Sequence, residues 1–230
     1  MTEIVYALGA QDNLVGVTTF CDFPEHAQEL YKVGDFSNPS LERILGLKPD
    51  LVIVNTPEQT RIQRQLEKLH INIYESSPIS LKDIYLEIQE IGFLLGKQHA
   101  AESLISYMEN HLQDTQLNKK RVYVELSPRP LITIGRGNFL NDLLALAGGE
   151  NIFHEMEKAY PVVTQEAVIA RDPEIIIILH PEEFGARIGW SEIDAVKNNR
   201  VYMDIDQDHL MRPGPRIVLG FQALKSIFND

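Results

Sequence analysis

Cysteine is almost absent from this chain: Cys21 stands alone among 230 residues. One thiol excludes an internal disulfide and any cysteine-built zinc cage. Cys21 reads as a small semi-buried side chain rather than a nucleophile. No long Lys/Arg-rich run appears, and 33 acidic against 21 basic residues leave a formal net charge of -12. Nucleic acid and anionic membrane surfaces are therefore poor partners, and the acidic excess serves solubility. No apolar run approaches the roughly 20 residues of a membrane span. The 7 histidines are scattered, without HxH or HExxH spacing, so no metal site is expected. No GxSxG nucleophile motif is present. GRGNFL (135–140) lacks the third glycine of a dinucleotide fingerprint, and is expected to form a loop and a helix cap. Nothing here supports catalysis, and a metal-dependent enzyme on a two-lobed α/β scaffold is the less favoured alternative. The chain opens on Thr2-Glu3-Ile4, directly in a helical pattern and without a signal-peptide profile. Taken alone, that reads as cytoplasmic or as a processed or truncated form.

What is present is a pattern that occurs twice. LERILGLKPDLVIV (41–54) recurs as QEAVIARDPEIIIIL (165–179). Glu42 pairs with Glu166, Pro49 with Pro173, and the apolar run 51–54 with 175–178. Each copy reads as a short helix, a proline turn and a buried strand. An earlier echo sets YALGAQDNLV (6–15) against LALAGGENIF (144–153). Two similar α/β halves imply two lobes with a ligand cleft between them. The echoes are offset by 138 and 124 positions, so the first half carries 14 extra residues between 15 and 40.

The patterning predicts helices over 2–9, 41–47, 58–69, 81–95, 97–116, 138–147, 164–170, 191–196 and 216–228. It predicts strands over 14–17, 51–54, 71–74, 121–126, 175–179 and 201–203. Alternating strands and helices argue for parallel sheets, hence an α/β fold of two Rossmann-like lobes. The expected organisation is an N-terminal lobe at 1–79, a helical segment with the connecting helix at 80–118, and a C-terminal lobe at 119–230. In the second half a strand at 121–126 precedes helix 138–147. The matching helix of the first half begins near residue 2, so that lobe is expected to lack its N-terminal strand.

Loop aromatics are the first candidates for a binding site. Phe20, Phe23 and Phe36 fall in loops of the first half and Tyr160 in the second, and such side chains can floor a site for a large ligand. Asp208 and Arg212 share one loop (206–216). Glu42 and Glu166 sit at helix starts, where the helix dipole already favours a carboxylate. Their equivalence across the repeat points further, to two exposed acids that face a partner with paired basic pockets.

Four segments, TEIVYALGAQDNLVGVTTFCDFP (2–24), KVGDFSNPSLERILGLKPDLVIV (32–54), FLNDLLALAGGENIF (139–153) and YPVVTQEAVIARDPEIIII (160–178), resemble the class III substrate-binding proteins of ABC importers. Within that family the cobalamin-binding members are most similar. The resemblance implies two α/β lobes joined by one rigid helix, a non-enzymatic role, an extracytoplasmic location, a monomer, and a permease dimer as partner. It places Phe20, Phe36 and Tyr160 at aromatic ligand positions and Asp208 and Arg212 at polar ones. It matches Glu42 and Glu166 to the glutamates that dock onto the permease. The implied ligand is cobalamin or a related corrinoid, with no covalent cofactor. Heme carriers of the family carry Tyr after the Val-Gly, whereas this chain has Asp35-Phe36, which disfavours heme. Arg129, Arg136, Arg212 and Arg216 keep a ferric siderophore as the alternative.

Overall fold

The computed structural model describes residues 1–115, 119–182, 184–185 and 187–229. It divides into two compact units: unit 1 is Met1–Pro78 with Tyr85–Ser106, and unit 2 is Ile79–Ile84 with Tyr107–Asp230. The helices are α1 (Thr2–Ala7), α2 (Leu41–Gly46), α3 (Thr60–Lys68), α4 (Leu81–Leu94), α5 (Gln98–His111), α6 (Leu140–Ala147), α7 (Gln165–Arg171), α8 (Asp194–Lys197), α9 (Gln207–Met211) and α10 (Ile217–Asn229). The strands are β1 (Val52–Asn55), β2 (Ile73–Ser76), β3 (Lys120–Glu125), β4 (Ser127–Pro128), β5 (Leu131–Ile132), β6 (Gly149–Asn151), β7 (Ile175–Ile178) and β8 (Val201–Tyr202). The helix expected over 97–116 thus ends at His111, and its last predicted residue, Gln116, lies outside the described residues.

Unit 2 is built on a sheet of order β6-β3-β7-β8, parallel at every pairing. Strand β7 is four consecutive isoleucines, all buried. A parallel strand is covered by helices on both faces, so it tolerates no polar alternation. Around it pack Tyr123, Phe153, Val168, Trp190 and Ile193. In unit 1, β1 and β2 form a two-stranded parallel sheet, packed by Val33, Ile44, Val54, Ile62 and Leu66.

The internal repeat carries into backbone detail. Ser40 caps α2 by accepting from Arg43 N at 3.3 Å, and Thr164 caps α7 by accepting from Ala167 N at 3.2 Å. Both caps lie in the extended region and free the first turn of an orphan donor. In each half a left-handed residue stands directly before the proline, Lys48 at φ 49° and Asp172 at φ 43°; Asp172 is the C-cap of α7, whereas the C-cap of α2 is the right-handed Leu47. Neither Lys48 nor Asp172 is glycine, so each half carries a conformation that costs about 1 kcal/mol or more.

The halves part company at β3. That strand lies between β6 and β7, and Leu179 N donates to Glu125 O at 2.8 Å. Asn55 is the repeat-equivalent of Leu179, and among the described strands none pairs with that edge of β1. The Asn55 N–H is met instead by the Gln59 side chain, at 2.9 Å to Oε1. Gln59 Nε2 in turn donates to Phe36 O at 2.7 Å. The strand expected over 14–17 shrinks to one parallel bridge, Val17 to Lys32, with Val15 half exposed. In the opposite direction, β6 and the β4–β5 hairpin appear where only loops were expected. Gly149-Glu150-Asn151 has little strand propensity, so β6 owes its form to pairing with β3.

One buried charge cluster holds the far end of β3. Glu125 is fully buried and receives both Arg187 Nη1 and Nη2 at 2.6 Å. His180 Nε2 lies 2.9 Å from the same carboxylate. His180 Nδ1 accepts from Glu182 N at 3.2 Å, so the ring proton sits on Nε2 and is donated to Glu125. The Arg187 guanidinium also stacks on Trp190 at 4.5 Å and Phe184 at 4.8 Å. Its pKa is raised, first by the hydrogen bonds to Glu125. The Tyr123 hydroxyl is buried without a hydrogen-bond partner of good geometry. Burial, and then the charge of Glu125, push its phenol well above the ordinary range.

Three substitutions test these contacts by their effect on stability. Gln59→Ala strands the Asn55 N–H and the Phe36 carbonyl together, and urea denaturation is expected to show a loss of about 1–3 kcal/mol. Arg187→Ala leaves the Glu125 carboxylate buried and unpaired, with an expected loss of about 3–5 kcal/mol. Arg129→Ala, which breaks an exposed pair with Glu182, is expected to change stability by less than about 1 kcal/mol. Equal effects of the two arginine variants would refute the role given to Glu125.

Candidate functional site

A parallel sheet sends every strand out at the same edge, so the loops that follow the strands gather there. In unit 1 the loop after β1 begins with Thr56 and contains Gln59. Its hold on the Phe36 carbonyl ties the 34–39 loop to that edge. This loop is tightly wound. Asp35 Oδ1 accepts from Asn38 N at 2.6 Å and Ser40 N donates to Val33 O at 2.7 Å. Gly34 sits at φ 135°, where a Cβ would lie 2.9 Å from Asn38 O, so glycine is required. Thr19 N donates to Gly34 O at 2.9 Å and brings the neighbouring loop alongside. The result is an edge-to-face pair, Phe20 with Phe36, at 6.4 Å between ring centres and 66° between planes. Phe20 is 61% exposed, which is costly for an aromatic that only staples a loop.

In unit 2 the loops after β3, β6, β7 and β8 share one edge. Gly135 allows the first two to touch: a Cβ there would lie 2.1 Å from Lys158 O. Thr133 N to Pro161 O at 3.1 Å, Gly135 N to Ala159 O at 3.0 Å and Arg136 N to Met156 O at 2.7 Å lace them together. Tyr160 lies inside this lacing, yet is 46% exposed. The GRGNFL segment is thereby accounted for as a close backbone crossing. Within it Asn138 Oδ1 accepts from Leu140 N at 3.0 Å at the start of α6, whose N-cap, Phe139, makes no side-chain capping bond.

After β8, Asp206 caps α9 through Asp208 N at 2.9 Å. The Asp208 carboxylate sits 2.9 Å from Arg212 Nη2 and 3.7 Å from Arg216 Nη2. All three side chains are largely buried, so this is a set of aligned groups and not a loose surface pair. Arg136 donates through its backbone into the lacing, and Arg129 pairs with Glu182.

Glu42 and Glu166 occupy the second position of α2 and α7, both exposed. The Glu166 carboxyl is held below the usual range by its own backbone N–H and then by Thr164. A shallow hollow lined by Tyr74, Gln89, Glu90, Phe93 and Leu94 includes none of the residues chosen from the sequence. Among the described residues no group of three or more His, Cys, Asp or Glu converges to hold a metal ion. Among the described residues no helix is long and apolar enough to cross a membrane.

The residues that sequence reasoning missed are Gln59, Glu125, His180 and Arg187. Glu125 left one trace, an acid closing the apolar strand Val122-Tyr123-Val124. Its partners lie 55 and 62 positions away, beyond the reach of any periodicity.

Comparison with known proteins converges on one family. The family model described as periplasmic binding protein matches residues 1–207. An uncharacterized ABC transporter substrate-binding lipoprotein, YvrC of Bacillus subtilis (strain 168), is 34% identical over 246 residues, covering 100% of this chain and 77% of that protein. A vitamin B12-binding protein of Vibrio vulnificus (strain CMCP6) is 32% identical over 233 residues, covering 97% of this chain and 85% of that protein. The solved structure of a possible iron-binding (periplasmic solute-binding) protein from Staphylococcus epidermidis superposes with a TM-score of 0.84 at 27% identity, covering 100% of this chain and 95% of that one. The two-lobed α/β architecture with parallel sheets is thus that of solute-binding proteins. This chain belongs to the periplasmic binding protein family, as a non-enzymatic, extracytoplasmic component of an ABC importer that delivers a small ligand to its permease.

Proposed function

We propose that this protein captures cobalamin or a related corrinoid and hands it to the permease. The observation that carries the reading is the set of aromatics displayed on the loops: the Phe20–Phe36 pair of unit 1 and Tyr160 of unit 2. A corrin is a broad, mostly apolar plane with an amide-rich rim. Phe36 and Tyr160 take its faces, with Phe20 bracing Phe36. Asp208 and Arg212 supply an acceptor and a donor for the rim. The relative named as a vitamin B12-binding protein, at 32% identity over 97% of the chain, supports the same ligand. A second reading, a ferric siderophore, is favoured by the arginines at 129, 136, 212 and 216 and by the neighbour named as possibly iron-binding.

Visible absorption spectra of the protein incubated with cyanocobalamin, heme or a ferric siderophore separate these readings. A complex with cyanocobalamin is the expected result, and its absence would remove the corrinoid from consideration. Calorimetric titration then tests the residues. Phe36→Ala and Tyr160→Ala are each expected to cost about 1–2 kcal/mol, roughly ten-fold in affinity. Unchanged affinity in both variants would displace the ligand from these side chains.

Glu42 and Glu166 serve a different step in this reading. Each is an exposed acid held at the same place on a capped helix, so each fits a basic pocket on a permease subunit. In reconstituted vesicles, Glu42→Arg and Glu166→Arg are expected to lose solute uptake while ligand affinity stays intact. Normal transport by both variants would end the docking role, and loss of ligand binding would move the acids into the binding site.

A further inference from the structure

Ile188 is the most exposed large apolar side chain among the described residues, at 95%. An isolated surface isoleucine needs no explanation, but this one is held differently. Its neighbours in the turn are both anchored inward. Arg187 is locked onto the buried Glu125 and stacked on Trp190, and Trp190 itself is 2% exposed. Trp190 N donates to Arg187 O at 3.2 Å and closes the turn. Gly189 adopts φ 80°, and a Cβ there would approach Ile169 Cδ1 of α7 to 3.0 Å. The positive φ favours glycine, and the short approach places the turn against Ile169 of α7.

Ile169 follows Glu166 by three residues, so the two lie on the same face of α7. The turn that displays Ile188 is therefore packed beside the helix face that displays Glu166. A buried carboxylate with two cationic or hydrogen-bonding partners is expensive to desolvate. Here its result is a rigid turn whose outward apolar side chain is Ile188. A fully exposed apolar side chain on an anchored turn beside an exposed acid offers a partner one apolar and one charged contact, and a few such side chains dominate the affinity of an interface.

We propose that Ile188 is the apolar anchor of the permease-docking surface of unit 2, inserting into a socket on the permease's extracytoplasmic face beside the basic group that receives Glu166. The proposal rests on the reading of Glu166 as a docking acid. The loop that follows β1 in unit 1, Thr56-Pro57-Glu58-Gln59, holds no apolar counterpart of Ile188. The anchor therefore distinguishes the docking surface of unit 2 from that of unit 1.

The test is the dissociation constant for the cognate permease–ATPase complex held in nanodiscs, read beside the melting temperature of each variant. Ile188→Asp is expected to weaken docking by about ten-fold and Ile188→Ala by a smaller factor, with melting temperatures unchanged. If Glu166→Arg loses affinity while both Ile188 variants bind as the parent protein does, the anchor is wrong and the docking acid stands. If all three variants bind normally, both ideas fall together. If Ile188→Asp docks normally but loses solute, Ile188 belongs to the ligand site and the proposal is overturned.

Discussion

The parallel pairing of β3 with β7 is the constraint on which the rest of unit 2 depends. The pairing runs from Val122 against Ile175 to Glu125 against Ile178. Because the strands run the same way, their carboxyl ends meet at one edge, and every loop able to carry recognition chemistry is delivered there. Burial on both faces supplies the stabilisation, and four isoleucines in a row are its signature. The same burial makes the strand ends difficult places for charge. Glu125 is tolerated only because Arg187 and His180 satisfy it, and those two side chains are held in place by it in turn.

The repeat links this physics to the sequence. Each half spells a capping hydroxyl, an exposed glutamate two residues on, a left-handed residue, a proline and an apolar strand, fully buried in β7 but only at Val54 in β1. The spacing was legible because each term acts locally: a cap reads three residues ahead and a proline restricts the residue before it. Helix α4 was legible for the same reason. Its apolar residues recur at helical spacing, and at its start Ser80 Oγ accepts from Asp83 N at 3.2 Å while the Asp83 carboxylate accepts from Ile79 N at 3.1 Å.

Features decided at a distance were not legible. Strand β6 exists because β3 offers it a free edge, and the segment itself, Gly-Glu-Asn, reads as a turn. Residues 14–17 have the better strand composition and yet form one bridge, since no described strand offers them a second partner. For the candidate site, residue types could be chosen from loop position and resemblance. The lacing of Tyr160 between two loops and the seating of Asp208 against two arginines could not. Those depend on backbone crossings such as Gly135 over Lys158 O, where an excluded Cβ matters more than any side chain present.

The Gln59 amide bridges Asn55 of β1 and the carbonyl of Phe36. It grips Phe36 by the main chain only, and the ring itself is placed by its edge-to-face contact with Phe20. The pivot of this aromatic is thus set at a strand edge and its face by a neighbouring loop. A change in that loop would re-aim the ring without disturbing the pairing of β1 with β2.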